Sequence, residues 1–152
     1  MPLSTLDNYL DIYSKYIAIA KLGWGTCLID ENLSDRLKIY DSYDIKVSPG
    51  GTLFELFYKK NKQNSYLSYV KKNKFTACEI SDGSIDIDFE EKLNFINLVS
   101  KDFLCLSEVG SKDPKIIVAP NKWCKKIKSE LDAGANLVIL EGRESSLSLI
   151  HI

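Results

Sequence analysis

Apolar positions gather into five short, nearly unbroken stretches, at residues 16–22, 45–48, 77–81, 103–108 and 137–141. Each is apolar on consecutive positions instead of alternate ones, the pattern of a strand covered on both faces. Together they predict a parallel sheet flanked by helices. They recur about every 30 residues, which leaves room for one helix between successive strands. The intervening segments carry helical spacing. Leu33, Leu37, Tyr40 and Tyr43 share one face, and Phe54, Phe57 and Tyr58 lead into Tyr66, Leu67, Tyr69 and Val70 in a further helix. Phe89, Leu93, Phe95, Ile96 and Val99 mark another, and Trp123, Ile127 and Leu131 the last. A helix over residues 3–14 precedes the first strand. Strand followed by helix at this period is the βαβ signature, and right-handed crossovers then restrict the topology.

Punctuation agrees with this division. Thr52 follows Gly50-Gly51 and stands three positions before Glu55, which predicts a capping box at a helix start. Lys59, Lys60, Lys62, Lys71, Lys72 and Lys74 crowd helix ends, where cations meet the negative end of the dipole and remain solvated. Ala133-Gly134-Ala135 reads as a helix stop.

Composition narrows the function classes. A chain of 152 residues with 45% apolar and 27% charged side chains suits one folded domain. Twenty basic against twenty-one acidic side chains leave a net charge of −1, so the field that gathers nucleic acid is missing. No apolar run approaches the ~20 residues of a spanning helix and no apolar segment follows Met1, so the chain is expected in the cytoplasm without a membrane partner. Cys27, Cys78, Cys105 and Cys124 form no C-x-x-C pair, and read as small hydrophobes in a reducing compartment. The lone His151 lies in the tail, which leaves no material for a histidine-based triad or metal site.

Parallel α/β proteins place their chemistry just past the carboxyl ends of the strands, and here those ends are the most polar places in each unit. They read Lys21-Leu22-Gly23-Trp24-Gly25-Thr26, Ser48-Pro49-Gly50-Gly51-Thr52, Glu79-Ile80-Ser81-Asp82-Gly83-Ser84, Ser107-Glu108-Val109-Gly110-Ser111-Lys112 and Glu141-Gly142-Arg143-Glu144. A single glutamate or lysine at a strand end is usually re-entering solvent, and Asp82-Gly83 alone is a common turn pair. The coincidence of all five is what points to a site. Glu79, Glu108 and Glu141 offer hard oxygen ligands of the kind Mg²⁺ takes beside water and substrate oxygens. Lys21, Lys112 and Arg143 offer positive charge, Arg143 with a bidentate fork. The Gly50-Gly51-Thr52 turn offers backbone N–H groups at a helix start to an anion. A small, multiply anionic substrate beside Mg²⁺ is the reading these groups share, with lysine or a carboxylate left to move protons.

Read together, the words K-L-G-W-G-T, I-K-V-S-P-G-G-T-L-F-E, E-I-S-D-G-S, S-E-V-G-S-K, L-D-A-G-A-N and E-G-R-E-S resemble the phosphosulfolactate synthase (ComA-type) family, over residues 9 to 145. The resemblance implies a Mg²⁺-dependent (β/α)₈ TIM barrel, a lyase that adds sulfite to phosphoenolpyruvate on the way to coenzyme M, with relatives in bacteria and plants. It makes Lys112 and Lys21 the catalytic candidates, Lys112 as the acid that protonates the carbanion. It assigns Arg143, Gly50, Gly51, Thr52, Ser81 and Asp82 to substrate, and Glu79, Glu108 and Glu141 to the metal, directly or through water. Ser48 stands where the family more often has an aromatic, and Ser111 replaces one of two lysines.

A closed barrel takes about 250 residues, and five of its eight strands are visible here. The expectation is therefore a partial barrel over 1–145, an internal fragment, with a non-native or disordered tail at 146–152. Such a piece would expose strand edges, favour self-association as a homo-oligomer, and lack synthase activity by itself. A flavodoxin-like doubly wound sheet is the rival architecture. The rival functions are a different Mg²⁺-dependent enzyme acting on a small phosphorylated carboxylic acid, and a non-catalytic, stress-associated relative.

Overall fold

A computed structural model describes residues 1–111 and 119–142. In chain order the elements are α1 (Leu3–Tyr13), β1 (Ile19–Lys21), α2 (Leu33–Ser42), β2 (Lys46–Ser48), α3 (Gly51–Lys59), α4 (Gln63–Asn73), β3 (Ala77–Ile80), α5 (Phe89–Val99), β4 (Leu104–Ser111), α6 (Pro120–Asp132) and β5 (Leu137–Gly142). All five expected strands are present, and every pairing is parallel.

β1 pairs with β2, and β3, β4 and β5 form a second ladder in that order. The two ladders meet where the Val47 amide donates to the Thr76 side chain at 2.8 Å. The strands thus follow one another in chain order. A flavodoxin-like sheet would instead set β1 between β2 and β3. The main core lies between the strands and the helices: Val47, Cys78, Ile80 and Cys105 pack with Leu33, Leu37, Leu53, Phe54, Tyr66, Val70, Ile96 and Val99. A smaller cluster of Leu6, Leu10 and Ile45 seats α1. Cys27, Cys78 and Cys105 are buried and Cys124 is exposed. Among the described residues no helix is long and apolar enough to cross a membrane.

Three expectations are corrected. The aromatic segment from Phe54 to Val70 is two helices, because α3 ends in a reversal: Asn61 takes φ 54° and the Lys62 amide returns to the Phe57 carbonyl, a left-handed stop. The capping box does not form. Gly50 holds the N-cap position of α3 with no side-chain cap, and Glu55 is buried, accepting from Ser81 and Ser84. β4 continues three residues beyond Glu108, because β5 keeps it in register as far as Ser111 opposite Gly142. The stop after α6 holds, with Gly134 at φ 116° and a Cβ there only 2.5 Å from the Ser100 hydroxyl.

Candidate functional site

Register decides which strand-end residues can meet. Side chains of paired residues in parallel strands share a face, and alternate residues along one strand share it too. Glu79 pairs with Leu106, so Glu79 and Glu108 lie on one face. Cys78, Ile80 and Cys105 face the helices. In the first ladder Lys21 pairs with Ser48, while Ala20 and Val47 turn to the core.

The two ladders are joined at their carboxyl ends by an ion pair. Lys21 Nζ stands 2.8 Å and 3.0 Å from the two Glu79 oxygens. Glu79 is 1% exposed and Lys21 43%, so the carboxylate is sealed beneath its ammonium. The Gly50-Gly51 turn closes against this pair. Gly50 has φ 80°, and a Cβ on it would come within 3.4 Å of the Lys21 side chain. A Cβ on Gly51 would collide with Ser81 Oγ and stand 2.8 Å from a Glu79 oxygen. Only glycine lets the backbone run this close to the pair. Ser48, buried, accepts from the Gly50 amide at 3.1 Å and so sets the turn. Here α3 begins.

Behind β3 and β4 lies a second charged group, which sequence reasoning missed. Lys92 of α5 is 1% exposed, and its Nζ reaches Asp82 Oδ1 at 2.9 Å, Glu130 Oε1 at 2.7 Å and the Glu108 carbonyl at 2.6 Å. Burial pushes the Glu130 carboxyl above its ordinary range. Lys92 and the Ser107 hydroxyl work against that shift, and Asp82 adds to it. Within E-E-K-L-N, Lys92 carries no signal that separates it from a solvated helix lysine. The Glu55 link to Ser81 and Ser84 was equally hidden, because its partners lie 26 and 29 residues away.

Of the expected site residues, the structure brings Lys21, Gly50, Gly51, Glu79 and Ser81 together. Glu108 lies on the Glu79 face and is buried; Asp82 is held by Lys92; Thr52 is exposed on the first turn of α3. Lys112, Arg143 and the Glu141 side chain lie outside the described residues, as do 143–152, which include the tail. Among the described residues no three His, Cys, Asp or Glu side chains converge as a ready metal cage. Mg²⁺ asks for less, one or two carboxylates with water and substrate oxygens. Glu79 and Glu108 are oxygen donors on one face, but both Glu79 oxygens lie against Lys21 and the side chain is 1% exposed, so Glu79 fits an ion only with that ammonium displaced.

Residues 1–150 match the family model described as (2R)-phospho-3-sulfolactate synthase. The chain belongs to the phosphosulfolactate synthase family. It is 42% identical over 151 residues to the phosphosulfolactate synthase of Methanocaldococcus jannaschii, covering 95% of this chain and 60% of that protein. The Methanothermobacter thermautotrophicus synthase is 35% identical over 153 residues, 97% of this chain and 59% of its own. That of Bacillus subtilis is 36% identical over 146 residues, 95% and 58%. The chain thus spans about three fifths of the length of the curated relatives it matches.

Proposed function

We propose that the strand ends form the mouth of a phosphosulfolactate synthase site, in a (β/α)₈ barrel of which this chain supplies five strands, and that the site joins sulfite to phosphoenolpyruvate. The observation that supports this most directly is the Lys21 ammonium, seated on Glu79 against a bare Gly50-Gly51 turn and open to solvent above. An ammonium fixed from below and open above can turn its remaining N–H bond to an incoming phosphate or carboxylate. The first amides of α3 add to the same attraction.

In this reading the sulfite lone pair forms a C–S bond to the substrate methylene carbon. The π electrons move onto the adjacent carbon and its carboxylate, and that carbon then takes a proton. Lys112 supplies the proton and Arg143 holds an anionic group, while Ser81, buried and donating to Glu55, and Asp82, held by Lys92, support the mouth from behind. Bound Mg²⁺ would supply charge stabilisation to the carboxylate as negative charge develops there; Glu108 and Glu141 are the residues that would hold it, while Glu79 stays with Lys21. Lys21 keeps the substrate anion against the turn, so that the reacting carbons stay within reach of the proton donor.

Phosphoenolpyruvate with Mg²⁺ is expected to raise the melting temperature of the chain above that with Mg²⁺ alone; no shift at millimolar ligand overturns the site. Mixed with both substrates, the chain alone is expected to give no phosphosulfolactate. Fused to the segments of the M. jannaschii relative that it does not match, it is expected to form product. A fusion that folds and binds phosphoenolpyruvate without making product overturns the reaction.

A further inference from the structure

Trp24 is 85% exposed, the most exposed of the large apolar side chains among the described residues. Its backbone takes φ 59°, followed by Gly25 at φ 68°, and a bulky residue in the left-handed region is a marked outlier. The loop that carries it is firmly held. The Thr26 hydroxyl donates to the Gly23 carbonyl at 2.9 Å, and the Leu28 amide to the Gly25 carbonyl at 2.9 Å. The loop also lies against the candidate site: a Cβ on Gly50 would stand 3.3 Å from Gly23 Cα, and Lys21 is three residues back. Against the described residues the indole buries almost nothing, and the conformation disfavours it. Strain without a packing return, beside a site, is the circumstance in which a ligand contact is the physical explanation.

We propose that Trp24 is a ligand-contacting residue of this mouth, its indole covering an anion held between Lys21 and the Gly50-Gly51 turn. The inference rests on the reading above. The ring shields the anion's open side from water, which strengthens the Lys21 interaction, and its N–H can donate to an anionic oxygen.

The test uses the chain with Trp123→Phe, so that Trp24 is the only fluorophore of its kind, titrated with phosphoenolpyruvate and Mg²⁺ by calorimetry and by emission in parallel. Emission is expected to change with the same midpoint as the heat. Trp24→Ala is expected to weaken binding about tenfold and Trp24→Phe to restore most of it, while Trp24→Gly, which removes the backbone strain, melts without ligand at or above the parent temperature. Heat of binding with unchanged emission, and a Trp24→Ala affinity within twofold of the parent, overturn the role of Trp24 and leave the site standing. No heat at millimolar ligand removes the site and this inference with it.

Discussion

Two lysines sit on carboxylates at the carboxyl side of the strands, and they differ in exposure and in how many partners hold them. Lys21 is 43% exposed above a sealed Glu79, whereas Lys92 is 1% exposed among Asp82, Glu130 and the Glu108 carbonyl. Both are ammonium groups paired with a buried carboxylate, but Lys21 has one such partner and an open side from which a ligand can approach, and Lys92 has two carboxylates, a carbonyl and no open side. Lys92 is saturated: its contacts tie α5 to the β3 loop, to β4 and to α6, and giving up the one to Glu130 would leave a buried carboxylate without its counter-charge. A cation at a strand end therefore signals binding only when one of its sides is vacant, which is a property of packing and not of the residue.

The sharpest way to break this contrast is Lys92→Met. Glu130, fully buried, would lose its counter-charge, and chemical denaturation is expected to show a loss of about 3–5 kcal/mol; a loss below ~1 kcal/mol would make Lys92 no more structural than a surface lysine. Lys21→Met should cost less, about 1–2 kcal/mol, because water at the mouth partly replaces the ammonium. Most of that loss should return in Lys21→Met/Glu79→Gln, and an equal cost for the two lysines would erase the distinction. The smallest effect concerns pH. The Glu130 carboxyl is raised above its ordinary 4.5 in the folded chain, so its contribution is complete below that value and is lost as pH rises through the folded pKa. Stability of the parent minus that of Glu130→Gln, followed by denaturation at successive pH values, is expected to fall as pH climbs from 4.5. A difference that rises instead would mean that Lys92 overrides the effect of burial.

What could be read from the chain divides along the same line. The five strands were legible because burial on both faces leaves an unbroken apolar run, and the glycines at their ends because a close approach excludes other residues. Glu55 was misread: the Thr52 spacing is visible locally, but Ser81 and Ser84 reach Glu55 only once β3 lies beside α3. The break between α3 and α4 was hidden because the aromatic period continues across it, while Asn61 turns the chain. Lys92 was illegible for the most general reason: a helix lysine is judged by its flanks, and its partners come from three other elements.

The hydroxyl of Thr76 stands where a backbone acceptor would otherwise continue the ladder from β2 to β3, so the strands are stitched there by a side chain. Lys21 and Glu79 lie on opposite banks of that stitch and act as its clasp. Cutting the clasp on either bank therefore slackens the seam, and faster amide exchange along β2 and β3 in Lys21→Met becomes its gauge.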